Sequence, residues 1–156
     1  MIINDELIDP LLEKSKTAPR LRQNYNFHKE ASDPLHRMLN IIQPGSYVHP
    51  HKHENPDKRE AFILISGKLL VVLFKNDGEI EKSVVLNRDK QTYGIEIQPG
   101  VYHTIIALEP DTVVYEVKDG PYNPNNDKQF ANWAPKEKDK TEASEYLMQL
   151  IKDASF

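Results

Sequence analysis

The stretch from Gly45 to Gly67, GSYVHPHKHENPDKREAFILISG, constrains this chain more than any other. His49, His51 and His53 alternate with Pro50 and Lys52, so an extended strand sends all three imidazoles off one face. Glu60 follows a short polar loop and heads an apolar run, AFILIS, that reads as a buried strand. Imidazole nitrogens and a carboxylate oxygen gathered on one face are a donor set for a first-row transition metal. The competing reading is a solvated, histidine-rich edge strand. The metal reading is favoured because three of the chain's six histidines fall within five residues and a carboxylate follows them into the core.

Around that stretch the pattern is almost entirely β. LHRMLNIIQPG is a strand closed by Pro44-Gly45, a turn pair. KLLVVLF and EIEKSVVL flank Asn76-Asp77-Gly78, and Asp-Gly between apolar strands is a strong hairpin signal. TYGIEI, VYHTIIAL and TVVYEVKDG add three strands, separated by Pro99-Gly100 and Glu109-Pro110-Asp111. Short strands at this interval, with no helix between them, predict a sandwich or small barrel.

The two ends read differently. Residues 1–16 form a helical pattern capped by Asn4 or Asp5, with Ile3, Leu7, Leu11 and Leu12 as its stripe and Pro10 limiting it. It is expected to pack on the outside of the barrel or on a second subunit. In the polar arm that follows, Arg20, Arg22, Asn24, Asn26 and His28 share one parity. That row either lines a pocket for an anionic or hydroxyl-rich ligand or belongs to a solvent-facing edge strand. After Gly120 comes PYNPNNDKQFANWAPKEK, an ordered loop whose Tyr122, Phe130 and Trp133 are expected to cover a surface. Asp139 or Thr141 then caps a last helix with the stripe Ala143, Leu147, Leu150, Ile151 and Ala154. The 156 residues therefore read as one domain: a helix and arm (1–34), a β core (35–119), and an aromatic loop with a C-terminal helix (120–156).

A formal net charge of −4 with interspersed signs leaves no footprint for nucleic acid. There is no cysteine, hence no disulfide framework or thiolate chemistry. The start MIINDELIDP lacks the features of a signal peptide, and no apolar run approaches the ~20 residues that span a bilayer. The expectation is a cytoplasmic protein without membrane or nucleic-acid partners.

The spacing of Gly45, His51, His53, Glu60 and Gly67 resembles the first conserved motif of the cupin superfamily, with the loop ENPDKR longer than usual. Gly94, Pro99, Gly100 and His103 in GIEIQPGVYH resemble the second motif. Two departures stand out: Pro99 abuts Gly100, and Ala107 occupies the place of the usual asparagine. The resemblance implies an all-β cupin jelly-roll β-barrel with short flanking N- and C-terminal helices. It also implies a divalent metal (Fe, Zn, Mn or Ni) held by His51, His53, Glu60 and His103. Three imidazoles and one carboxylate leave such an ion with one net positive charge. His49 is either an alternative ligand or a group that orients one, and the second role is preferred.

Glu116 in VVYEVK has opposite parity to Val113, Tyr115 and Val117, which points it into the barrel as the first acid/base candidate beside His49. The alternative is an exposed charge on an edge strand. Arg22, Asn24 and His28 are the candidate substrate-binding residues. Tyr93 and Tyr102 read as core tyrosines.

GPYNPNNDKQFANWAPKE, RQNYNFH and the central PHKHENPDKREAF are similar to the WbuC-type cupin-fold metalloproteins, whose genes tend to lie among those for bacterial O-antigen or capsular polysaccharide synthesis. That resemblance implies a sugar-like ligand, and the cupin resemblance a homodimer, since many cupins pair through sheet edges. The WbuC-type resemblance implies a pathway rather than a chemistry, and three functions remain open. The first is a metal-dependent enzyme, such as an isomerase or epimerase, acting on a nucleotide sugar or carbohydrate intermediate. The others are an Fe(II) cupin dioxygenase and a non-catalytic sugar- or metabolite-binding module.

Overall fold

The computed structural model describes residues 1–154. Helix α1 (Asp5–Thr17) precedes β1 (Arg22–Asn26), β2 (Leu35–Ile42), β3 (His51–Lys52), β4 (Glu60–Ser66) and β5 (Lys68–Phe74). After these come β6 (Ile80–Asn87), β7 (Gly94–Ile97), β8 (Tyr102–Ala107), β9 (Thr112–Asp119), β10 (Gln129–Phe130) and α2 (Lys140–Asp153). The strands form two antiparallel five-stranded sheets, ordered β1-β2-β9-β4-β7 and β10-β3-β8-β5-β6. This is the all-β jelly roll with two flanking helices that the sequence predicts. Among the described residues, no helix is long and apolar enough to cross a membrane.

Alternation along each strand explains how one barrel holds both a dry core and a polar site. On β9 the inward positions run Val114, Glu116, Lys118, and on β4 they run Leu64, Phe62, Glu60. On β8 they run Ala107, Ile105, His103. At one end Leu64, Leu69, Val71, Leu86, Ile105, Ala107 and Val114 pack into a single cluster. At the other end the same strands present Glu60, His103 and Glu116. Ala107 is 3 % exposed within the apolar cluster, so an amide at that position would lie at the dry end, away from the site.

The opposite faces are covered from outside. Tyr115 and Val113 of β9 pack with Leu39 and Ile41 of β2 beneath Ile8 and Leu11 of α1. Leu70, Val72, Phe74 and Ile106 of the other sheet bury Ala143, Leu147, Leu150 and Ala154 at α2. Pro10 does not end α1, contrary to expectation. The helix runs on to Thr17, with Asn4 accepting a hydrogen bond from the Leu7 N–H at 3.3 Å. Docking of Ile8 and Leu11 offsets the one backbone hydrogen bond that proline removes.

The predicted hairpin joins β5 and β6. Gly78 has φ +94°, and its bare Cα admits Trp133, whose Cδ2 would lie 2.7 Å from any Cβ placed there. Trp133 therefore covers a surface as expected, its ring tilted against Phe74 at 5.0 Å. Phe130 covers the His49 ring yet stays 56 % exposed, and Tyr122 is 45 % exposed. Tyr93 is likewise exposed rather than core.

Candidate metal centre and cavity

His51 and His103 are cross-strand partners of β3 and β8, which places their rings 4.6 Å apart. His53 follows two residues on, and Glu60 opens β4 on the facing sheet. The carbonyl of His53 accepts from the Gly100 N–H at 2.9 Å, tying the turn before β8 to the end of β3. One donor atom from each of His51, His53, Glu60 and His103 lies within 4.8 Å of all the others, and all four residues are buried.

The outer nitrogen of each ring is already spoken for. His51 Nδ1 donates to the His49 carbonyl at 2.9 Å, His103 Nδ1 to the Val101 carbonyl at 2.9 Å, and His53 Nδ1 to the Asp127 carbonyl. A carbonyl only accepts, so each Nδ1 carries its ring's proton and each Nε2 turns a lone pair toward the cluster. His51 Nε2 and His53 Nε2 are buried with no hydrogen-bond partner. His103 Nε2 sits 2.8 Å from Glu60 Oε2, and His53 Nε2 sits 3.6 Å from the same oxygen.

Four converging electron pairs in a dry pocket repel one another unless a positive charge lies between them. One proton answers the His103–Glu60 pair and leaves two nitrogens orphaned, whereas a divalent cation answers all four. The residues fit a borderline metal ion of the iron, manganese, nickel or zinc kind. Their protonation agrees with that. Burial and the nearby Lys128 amine drive His51 well below the usual histidine range, which keeps the ring neutral. Burial would raise Glu60, but positive charge at the cluster, such as His103 and His53 protonated at Nε2, outweighs burial and holds it well below the usual carboxylate range, and a cation takes the same place.

A cavity of about 570 Å³ opens above the cluster, a size suited to a small organic ligand. Glu116 is in its wall, buried, and reaches it on the predicted parity. Burial and the Glu60 carboxylate push Glu116 up to about 8. Asn40 Nδ2 donates to Glu116 Oε2, so Oε1 is the atom left to carry a proton.

Arg22, Asn24, Asn26 and His28 of the predicted row also line the cavity, while Tyr25 and Phe27 turn to the opposite face. Arg22 is committed elsewhere: its guanidinium donates to Ser46 Oγ, the Tyr47 carbonyl and Glu137. His28 is held at Nδ1 by the Arg37 N–H at 3.2 Å and stacks 3.9 Å from His36. His49 lies outside the four-residue cluster. Its Nε2 faces the Ala131 carbonyl at 2.9 Å, its ring stacks on Phe130, and its backbone carbonyl rather than its ring orients His51.

Several contributors to this wall carry no signal in the sequence. Asp127, whose carbonyl fixes His53, is clamped by Lys58 Nζ at 2.6 Å and Lys118 Nζ at 2.8 Å, with all three side chains buried. Lys58 and Asp127 stand 69 positions apart in irregular segments, so no periodicity links them. Lys128, in the same loop, also faces the cavity.

A family described as "Domain of unknown function (DUF6016)" matches residues 3–86. No curated protein matches the sequence. The capsular polysaccharide assembling protein CapF from Staphylococcus aureus is 27 % identical with a TM-score of 0.58, over 76 % of this chain and 33 % of that one. A crystal structure of CapF with the inhibitor 3-isopropenyl-tropolone is 28 % identical with a TM-score of 0.57, over 69 % of this chain and 30 % of that one. Oxalate oxidase in complex with the substrate analogue glycolate shares the fold at 15 % identity, with a TM-score of 0.54 over 74 % of this chain and 57 % of that one. These are cupin-fold proteins, and this chain has the cupin fold. It spans about a third of the CapF chains it matches.

Proposed function

The chain belongs to the family described as a domain of unknown function, DUF6016, and from its site we propose a divalent-metal cupin that acts on a nucleotide-sugar or related carbohydrate intermediate of bacterial surface-polysaccharide assembly. The observation that carries the proposal is the convergence of His51, His53, Glu60 and His103, two of them with orphaned Nε2 atoms, at the floor of a ligand-sized cavity. The likeness to the capsular polysaccharide assembling protein CapF supports the pathway. The Gly120–Glu137 and Arg22–His28 segments support a finer kinship with the WbuC-type cupins.

A cation held by these four residues supplies Lewis acidity toward a ligand carbonyl or hydroxyl. The chain's own groups do the rest. Glu116 holds a proton at Oε1 near neutral pH and delivers it to, or recovers it from, a ligand atom above the cluster. Amides of Asn24 and Asn26 on the cavity wall meet hydroxyls. The exposed faces of Phe130 and Tyr122 offer a platform for the apolar face of a sugar ring. His49 keeps Phe130 in place by stacking at 5.0 Å.

Anaerobic purification followed by elemental analysis, then a screen of nucleotide sugars for turnover, tests this. Stoichiometric metal with conversion of at least one nucleotide sugar is expected. Oxygen uptake dependent on Fe(II) would replace the sugar reading with a dioxygenase, and tight sugar binding without turnover would leave a sensing module.

A further inference from the structure

Most cations around the cavity are already neutralised. Arg20 and Arg22 both grip Glu137, the second at 2.8 Å, and Lys118 grips Asp127 at 2.8 Å. Two lysines lining the cavity, Lys29 and Lys128, make no ion pair with any described residue, and both are exposed. Lys128 and Lys118 both interact with the charges of Glu60 and Glu116, but Lys118 is paired with Asp127 and Lys128 has no ion-pair partner among the described residues. Its backbone is fixed from both sides. Asp127, immediately before it, is clamped by Lys58 and Lys118 and holds His53 through its carbonyl. Gln129, immediately after it, pairs with Lys52 on β3.

We propose that Lys128 is the seat of an oxyanion, a sugar carboxylate or a sugar phosphate, on the ligand whose hydroxyls reach the His51–His53–Glu60–His103 cluster. The inference rests on the carbohydrate reading above and narrows it to acidic sugars. The geometry supports it in three ways. An unpaired ammonium on a concave wall is a point-charge receptor for an oxyanion. Neutral amides line the same cavity at Asn24, Asn26 and Asn40, which suits a polyhydroxyl body. Phe130 follows Lys128 by two residues, so one short loop presents both a ring platform and the anion seat.

Calorimetric titration of the zinc-loaded protein with glucose, glucuronate, glucose 1-phosphate and inorganic phosphate tests the proposal. The titrations are repeated on Lys128→Met, Lys128→Arg and Lys29→Met. One of the two acidic sugars is expected to bind roughly tenfold or more tightly than glucose, the order of one charge-assisted hydrogen bond. Lys128→Met should erase that preference and leave glucose unchanged, while Lys128→Arg should retain it. Preference for glucuronate assigns a carboxylate, and preference for glucose 1-phosphate a phosphate. Equal binding of glucose and the acidic sugars, an unchanged preference in Lys128→Met, or an equal loss in Lys29→Met would overturn the proposal, as would the failure of every anion to bind. Binding of inorganic phosphate that needs Lys128, with no sugar bound, would uphold the seat and sink the carbohydrate reading.

Discussion

The orientation of single imidazoles decides what this site can hold. His51, His53 and His103 each spend Nδ1 on a backbone carbonyl and turn Nε2 inward, whereas His49 turns Nε2 to the Ala131 carbonyl and stacks on Phe130. His103→Ala is therefore expected to abolish stoichiometric metal. His49→Ala should keep it, because the carbonyl that holds His51 is backbone and survives the exchange. Elemental analysis of the two variants checks this, and full retention in His103→Ala would remove that residue from the ligand set. Metal loss should also lower thermal stability, since an ion present at a hundredfold its dissociation constant adds about 2.7 kcal/mol. His51, His53 and Glu60 were legible in the sequence because period two and an abrupt apolar run mark them. Lys128 was not, since nothing local distinguishes a cavity-facing lysine from a solvated one.

At the scale of elements, strands and their turns were readable and their outward attachments were less so. Asp77-Gly78, Pro44-Gly45 and Pro99-Gly100 mark real turns because their backbone preferences are local. Burial of Tyr122 and Phe130 was misjudged because aromatic character says that a surface is needed, not whether protein or ligand provides it. The continuation of α1 through Pro10 depends on docking to β1 and β2, which a one-dimensional pattern does not contain.

One attachment makes a pH prediction. Glu137, in the loop before α2, binds Arg20 and Arg22 at the edge of β1. Burial would raise its carboxyl, but the Arg20 hydrogen bond and the Arg22 charge prevail and hold it below its ordinary value of 4.5. Its folded value thus lies under its unfolded one. The stability it contributes is complete above about pH 4.5 and drains as pH falls through the lower, folded value. Thermal melts of Glu137→Gln should lie below wild type near pH 7 and converge with it in acid. A constant gap down to pH 3 would mean that the pair contributes through packing rather than charge.

At the scale of the whole molecule, the β7 edge and its neighbour β4 carry exposed apolar side chains. Ile63 on β4 is 47 % exposed and Tyr93, just before the edge strand β7, is 56 % exposed. The two are adjacent, since Ile63 opposes Gly94 across the ladder and the Tyr93 carbonyl accepts from the Leu64 N–H at 2.7 Å. We expect this edge to pair two copies, in line with the homodimer implied by the resemblance. Light scattering at micromolar concentration should give twice the chain mass, reduced to one chain by Ile63→Lys. A monomeric wild type would remove the dimer without touching the site, which lies within the barrel.

The carbonyls of His49, Val101 and Asp127 that aim the three rings have a last consequence. They belong to the main chain, and no exchange of a side chain deletes a main-chain oxygen. Drift in the lining residues can retune which molecule is admitted while the imidazoles go on pointing inward. Descendants of such a chain can thus change their chemistry by altering the wall and inherit the centre intact.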